Sequence, residues 1–288
     1  MRLLPWSHES SAGFTLRGWH TAPSGKPLLH FIHGNGFCCR TYEPMLALLA
    51  EDFDLWLCDM QGHGDSDHGG PFLGWNHNAE LAVEAFVAGC LQFGDVPRYA
   101  CGHSFGGVLT SLILATHPSL FQRAVLLDPV LFAQRQLRLR ALFGRFIRNP
   151  LAEAARRRRT HWADAEEAYA RLQGRGIFKG WQEAAMRAHI QHALREEPGQ
   201  GVTLKCQASR EAEVFDSFPR GLWKALAGIQ APVRLIHGDS TYPFVRESAN
   251  TVAKLNSNIS VDTLPGEHCF MQQEPQRTAQ RVRDFILQ

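Results

Sequence analysis

The segment Gly102-His103-Ser104-Phe105-Gly106-Gly107 lies between Arg98-Tyr99-Ala100-Cys101, which reads as the end of a strand, and Val108-Leu109-Thr110-Ser111-Leu112-Ile113-Leu114-Ala115, which reads as an apolar helix. A strand that passes into a helix through so short a turn must bend sharply. Ser104 falls at the bend, and glycine is required at positions 102 and 106 because the neighbouring backbone leaves no room for a side chain. This is the geometry of a nucleophile elbow, which leaves the serine hydroxyl standing above the edge of a sheet. An ordinary glycine-rich turn has a similar composition, so the weight of the segment rests on what accompanies it.

The chain has 288 residues, enough for one large α/β domain or for one domain with a substantial insertion. Hydrophobic residues make up 44%, charged residues 20%, and the net charge is only +2, which suggests neither a nucleic-acid-binding field nor an acidic tail. The expected partner is a small molecule, with no nucleic acid and no stable membrane insertion, and the chain is expected as a monomer or homodimer. Seven cysteines are scattered without Cys-x-x-Cys spacing, Cys38-Cys39 being adjacent, and read as buried thiols, not as a disulfide framework or a zinc site. The apolar run at the N-terminus is too short for a signal peptide and no segment reaches membrane-spanning length, so a cytoplasmic protein is expected. Internal repeats and low-complexity stretches are absent.

Short apolar runs alternate with longer mixed segments over the first hundred residues, the pattern of βαβ units and a parallel sheet. Strands are expected at Leu28–Ile32, Leu55–Cys58, Ala124–Leu127, Val233–Ile236 and Ile259–Leu264. Helices are expected over 41–50, 79–91, 248–255 and 275–287. From about Phe132 to Trp223 the chain is rich in Arg, Ala, Leu, Glu and Gln and shows no clear strand before Val202–Lys205; it reads as an inserted helical cap. The expected division is a discontinuous core, 1–130 and 225–288, with a cap over 131–224. The arginines from Arg135 to Arg145 and the run Arg156-Arg157-Arg158-Arg159 could suggest an anion site. Interleaved with Leu137, Leu139, Leu142, Phe143, Phe146 and Ile147, and followed by Glu153, Asp164, Glu166 and Glu167, they read better as a solvated helix face.

A serine hydroxyl is a weak nucleophile at neutral pH and needs a base, itself oriented by an acid. His268, in Leu264-Pro265-Gly266-Glu267-His268-Cys269-Phe270, follows a strand and precedes the last helix, where a loop can return to the C-terminal edge of the sheet. An oxyanion needs backbone N–H donors from a glycine-bearing loop after a central strand. His33-Gly34-Asn35-Gly36-Phe37 supplies one, so the N–H groups of Asn35 and Phe105 are the expected donors. The side-chain amide of Asn35 is a further candidate contact for substrate.

As a set, His33-Gly34-Asn35-Gly36, Asp59-Met60-Gln61-Gly62-His63-Gly64-Asp65-Ser66-Asp67, the Ser104 segment and Pro265-Gly266-Glu267-His268 resemble, in order and spacing, the cap-bearing esterases, lipases and carbon-carbon hydrolases of the α/β-hydrolase superfamily. The resemblance covers about two-thirds of the chain. It implies an α/β fold with an eight-stranded, mostly parallel sheet flanked by helices, an inserted helical lid over Ser104, and an organising, non-chemical role for Asp59 and the Gly-His-Gly turn after it. Members commonly carry the acid in a Gly-x-x-Asp pattern, whereas this chain reads Gly238-Asp239-Ser240-Thr241. A threonine cannot stabilise an imidazolium by charge, which leaves two candidates. Asp239 is in that loop but two residues early; Asp128 ends a strand in Leu126-Leu127-Asp128-Pro129, a position some relatives use. Asp128 is preferred, because a strand end fixes a carboxylate better than a loop does.

The expected reaction is hydrolysis of a small carboxylic ester or thioester through an acyl-enzyme, with no cofactor and no metal, since ligand spacings and a phosphate-binding loop are missing. Phe37, Phe132, Trp162, Phe244 and Phe270 suggest a pocket for an apolar or aromatic acyl group, each being also an ordinary core candidate. Haloalkane dehalogenase and epoxide hydrolase chemistry needs a carboxylate where Ser104 stands. A carbon-carbon bond hydrolase or a cofactor-free haloperoxidase-like enzyme remains an alternative, as does a non-catalytic protein that holds a small ligand.

Overall fold

The computed structural model describes residues 1–134, 137 and 149–288. The chain begins with a hairpin of β1 (Leu4–Glu9) and β2 (Thr15–His20), followed by β3 (Leu28–Ile32), helix α1 (Glu43–Leu49), β4 (Asp54–Asp59), helix α2 (Trp75–Cys90), β5 (Arg98–His103), helix α3 (Phe105–Thr116) and β6 (Arg123–Leu127). Three short strands follow, β7 (His161–Trp162), β8 (Leu194–Glu197) and β9 (Gly201–Leu204), before β10 (Val233–Gly238) and β11 (Ile259–Leu264). The main sheet has eight strands in the order β1-β2-β4-β3-β5-β6-β10-β11. Its first two pairings are antiparallel and all the rest parallel.

Parallel strands covered on both faces must be apolar throughout, and every residue of β3 is buried. Leu28 and Ile32 face one way, into a core shared with Phe86 of α2, Leu112 and Ile113 of α3 and Leu226. Leu29 and Phe31 face the other, against Met45, Leu46 and Leu49 of α1 and Val282, Phe285 and Ile286 of the C-terminal helix Pro275–Ile286. Burial of each such side chain is worth ~1.5–3 kcal/mol, so the two cores fix the sheet and with it the edge where its strands end. The strands expected from the sequence lie where the apolar runs placed them. The β1–β2 hairpin was not expected, because Pro5, Ser7, His8 and Glu9 hide its periodicity; Trp6 holds it to the sheet by stacking on Trp56 at 4.7 Å and donating from Nε1 to Leu57 O at 3.1 Å.

The segment between β6 and β10 is less helical than the sequence suggests. Helices Pro150–Arg157, Ala165–Leu172, Glu183–Ala193, Ala208–Asp216 and Leu222–Gly228 share it with a three-stranded antiparallel sheet in the order β7-β9-β8. The β8–β9 hairpin turns through Gly199 (φ +74°) and Gly201 (φ +88°), and a Cβ on Gly201 would lie 2.2 Å from Trp162 O. Asn149 caps the helix Pro150–Arg157 by accepting from Leu151 N–H at 3.0 Å, with proline at the first position. The arginines from Arg135 to Arg145 all lie outside the described residues. Arg156, Arg158 and Arg159 pair with Asp216, Glu211 and Glu167, and Arg157 lies 3.5 Å from Glu153, so this run meets carboxylates of the protein itself. Among the described residues no helix is long and apolar enough to cross a membrane.

Candidate active site

The sharp turn between β5 and α3 is built by exclusion. A Cβ on Gly106 would lie 2.2 Å from Ile32 O and one on Gly102 2.4 Å from Gly106 O, so these positions admit only glycine while strand and helix stay in contact. Ser104 itself is forced to φ 54°, ψ −112° and is held by its N–H donating to Leu127 O at 2.9 Å. Among the described residues, only one other non-glycine residue has positive φ: Asp128, at 44°. Its N–H donates to Ile236 O at 2.7 Å, which pins the end of β6 against β10. Such conformations cost about 1–3 kcal/mol each and persist only where the surroundings hold them.

These two residues meet through a third. Ser104 Oγ lies 2.9 Å from His268 Nε2, and His268 Nδ1 lies 2.6 Å from Asp128 Oδ2. With Nδ1–H donating to the carboxylate, Nε2 is left to accept from the serine hydroxyl, the arrangement in which an imidazole can take that proton. All three are buried, Asp128 completely. The Asp128 carboxylate is further held by Gly238 N–H at 2.9 Å and by the Thr241 hydroxyl at 2.5 Å. Thr241, where a carboxylate was expected, therefore supports the carboxylate that reaches across from β6. Asp239 does not reach His268. It is exposed, its Oδ1 accepts from Gly266 N–H at 3.1 Å and Ser240 Oγ–H at 2.9 Å, and the Gly266 amide is the main influence holding its carboxyl below the usual range.

A second set of contacts, unmarked in the sequence, joins the serine turn to the histidine loop. His103 Nε2 donates to His268 O at 3.0 Å, Tyr42 Oη donates to His103 Nδ1 at 2.6 Å, and Gly34 N–H donates to Tyr42 Oη at 3.0 Å. Burial holds the His103 imidazole well below its usual range and Tyr42 well above, so both stay neutral and every donor has its acceptor. His103 is the unspecified residue of the serine motif; Tyr42 lies on no motif.

The loop after β3 closes as a turn, Phe37 N–H donating to Gly34 O at 3.2 Å, which leaves the Asn35 amide out of the turn's own hydrogen bond. Phe105 begins α3, where the first N–H groups have no acceptor within the helix, and its side chain is buried against Trp75 at 4.8 Å. The Asn35 side chain is not free for a substrate. Its Nδ2 donates to Glu211 O at 3.0 Å and its Oδ1 accepts from His63 Nε2 at 3.1 Å. Asp59 accepts from Cys39 N–H at 2.7 Å and Asp65 N–H at 3.1 Å, so it folds the neighbouring loop.

The aromatic residues expected at a pocket separate into two groups. Phe132 and Phe244 are half-buried and stack at 6.4 Å, continuing through Tyr242 to the His268 ring at 5.2 Å. The other three are core side chains. Trp162 packs with Ala168, Ile190, Leu194, Val202 and Leu204 inside the inserted segment, Phe270 is fully buried beneath the sheet, and Phe37 packs edge-on against Tyr42, Phe178 and His189. Large apolar rings with no polar neighbour are drawn inward before they are available to a ligand. Among the described residues no group of three or more His, Cys, Asp and Glu side chains is placed to hold a metal ion.

Known proteins resemble this chain. A serine hydrolase-like protein from Homo sapiens is 28% identical over 130 residues, 45% of this chain and 59% of that protein. Monoglyceride lipase from Mus musculus is 29% identical over 126 residues, 41% of this chain and 39% of that protein. The chain thus aligns with only part of the curated relatives it matches. The crystal structure of E-2-(acetamidomethylene)succinate hydrolase superposes over 100% of both chains with a TM-score of 0.80 at 20% identity, which is a likeness of fold. With the model of the Alpha/beta hydrolase family matching residues 31–281, the chain belongs to that family.

Proposed function

We propose that the protein is a serine hydrolase that cleaves a small carboxylic ester or thioester with an apolar or aromatic acyl group. The observation that carries this reading is the unbroken contact from Ser104 Oγ through His268 to Asp128, at 2.9 and 2.6 Å, at the head of a helix. In this reaction Ser104 Oγ attacks the acyl carbon and its proton passes to His268 Nε2. The oxyanion is held by the N–H groups of Asn35 and Phe105, each such donor being worth about a hundredfold or more in rate. His268 gives the proton to the leaving group, and water then releases the acid by the same route. Asp128 fixes the imidazole and stabilises its charged form. On this reading the described residues of 131–224 belong to the cap over Ser104, anchored by Glu211 to the oxyanion loop and by the Lys179–Glu267 pair, 2.8 Å apart, to the histidine loop.

A fluorophosphonate probe tests this reading. It should label the wild-type protein on Ser104, and labelling and hydrolysis of short p-nitrophenyl esters should both disappear in Ser104→Ala and His268→Ala. An unlabelled wild-type protein would return the chain to the non-catalytic ligand-binding alternative.

A further inference from the structure

The base is held to the nucleophile twice. Ser104 Oγ lies 2.9 Å from His268 Nε2, and His268 O accepts from His103 Nε2–H at 3.0 Å. His103 is the residue before Ser104, at the end of β5, so the two contacts and the chain between them close a ring. The neighbouring residues of the histidine loop are tied elsewhere: Gly266 N–H donates to Asp239 Oδ1 at 3.1 Å and Glu267 N–H to Gln273 Oε1 at 3.0 Å. At His268 the loop's main chain meets the serine's own strand.

The proton positions behind this contact follow from the two ends of a hydrogen-bonded chain. Gly34 N–H can only donate and His268 O can only accept, so the Tyr42 hydroxyl and the His103 imidazole between them have one consistent arrangement. Gly34 N–H fills a lone pair of Tyr42 Oη at 3.0 Å, the hydroxyl hydrogen points at His103 Nδ1 at 2.6 Å, and the ring proton is left on Nε2, facing the carbonyl. Without the Tyr42 hydroxyl, Nδ1 competes for that proton, and in the other tautomer a bare Nε2 lone pair faces His268 O. The junction has no slack: a Cβ on Gly34 would lie 2.7 Å from His103 Nδ1 and 3.1 Å from Tyr42 Oη. Tyr42 and His103 are both fully buried, so neither meets a substrate and their influence must pass through the groups they hold.

We propose that Tyr42 and His103 are positioning residues of the hydrolase reaction proposed above, on which this role rests: Tyr42 selects the His103 tautomer, and His103 holds the main chain of His268 so that Nε2 stays aimed at Ser104 Oγ. Misplacing a reacting group by about 1 Å can cost on the order of a hundredfold in rate. Here the contact between Nε2 and Oγ survives the loss of the second tether, so a loss of about tenfold is expected.

The test has a spectroscopic and a kinetic arm. Ring ¹⁵N NMR of the wild-type protein should show His103 as the Nε2–H tautomer, and Tyr42→Phe should move population to Nδ1–H. On p-nitrophenyl acetate, with active sites counted by fluorophosphonate titration, Tyr42→Phe should lower kcat about tenfold and leave KM within about twofold. His103→Gln, whose amide N–H can replace Nε2–H toward His268 O, should stay within about threefold of wild type. Tyr42→Phe added to His103→Gln should cost less than a further twofold, because no tautomer remains to be selected. An Nδ1–H ring in the wild-type protein, an unchanged kcat or a loss confined to KM in Tyr42→Phe, or the same tenfold loss repeated in the His103→Gln background overturns the proposal. The wild-type spectrum decides the tautomer even where a variant does not fold. Fluorophosphonate labelling separates this failure from that of the underlying reading: labelled Ser104 with flat kinetics sinks the positioning role alone, whereas an unlabelled wild-type protein sinks the hydrolase reading with it.

Discussion

The edge of the main sheet and the segment inserted between β6 and β10 are held together by different means. At the sheet edge the backbone decides: Gly106 has Ile32 O where a Cβ would be, and Ser104 and Asp128 are turned to positive φ by strands on either side. The inserted segment is fastened to the core largely by long side chains. Arg210 is fully buried and donates to His68 O at 2.7 Å, with Gly70 O and Glu213 as further partners; Lys205 pairs with Asp65 at 2.6 Å; Gln182 Nε2 donates to Gln273 O at 3.0 Å. The first kind of restraint tolerates no added side chain at Gly102 or Gly106, whereas the second loses one contact at a time.

Six substitutions, in four tests, would break or sharpen that contrast. The largest effect is expected in the site itself. Asp128→Asn should lower kcat on a short p-nitrophenyl ester about 10⁴-fold while Asp239→Asn stays within about threefold, since only the first leaves His268 without its partner; a dead Asp239→Asn would move the acid to the other loop.

Next come the glycines. Gly106→Ala should cost about 4 kcal/mol or prevent folding, because the obstacle is backbone and cannot give. Gly199→Ala, on the β8–β9 turn with open space around it, has only its φ of +74° to contend with and should cost about 1 kcal/mol in urea unfolding. Equal costs would mean that the two regions are not restrained differently.

Arg210→Met ranks third. It strands the carbonyls of His68 and Gly70 and should lower stability by about 2–3 kcal/mol, a loss seen in the same urea titration.

The fourth test concerns His30, buried among Phe86 and Phe121 with no hydrogen-bond partner on either ring nitrogen. The unfolded ring takes up a proton near pH 6.5, whereas burial holds the folded ring down to about 3. Between those values the unfolded chain carries more protons, so stability is lost as pH falls through that window. His30→Phe should remove about 2 kcal/mol of the stability difference between pH 7 and pH 5, measured by denaturation at both. An unchanged difference would show that the acid sensitivity lies elsewhere.

The same division explains what the sequence disclosed. The strands β3, β5, β6 and β10 were legible because parallel strands covered on both faces are apolar runs, and Ser104, Asn35 and His268 were legible because each stands beside glycines its turn requires. The sequence could narrow the acid to Asp128 or Asp239, since both stand beside loops that open onto the same sheet edge. Distinguishing them needs the direction of a side chain, and positive φ at Asp128 cannot be read from Leu-Asp-Pro. The roles of Tyr42, His103 and Thr241 escaped notice because their contacts span the fold and carry no local pattern: Tyr42 meets His103 across 61 positions and Thr241 meets Asp128 across 113. Within the insertion Val202–Lys205 was legible as a strand, whereas β7 and β8 were not, since the β8–β9 hairpin is short, charged, and signalled by little beyond Pro198-Gly199 and Gly201.

The positive φ of Ser104 and Asp128 also bears on how this protein could be stabilised. Glycine would relieve Ser104 of its Cβ, so a screen that rewards only heat resistance should favour Ser104→Gly and with it discard the nucleophile of the proposed reaction. At Asp128 the same change would strand the Gly238 N–H and the Thr241 hydroxyl, so relief of the backbone is offset there. Variants recovered from such a screen should therefore be sorted by turnover before melting temperature. On the proposed reading, heat resistance and turnover pull in opposite directions at Ser104.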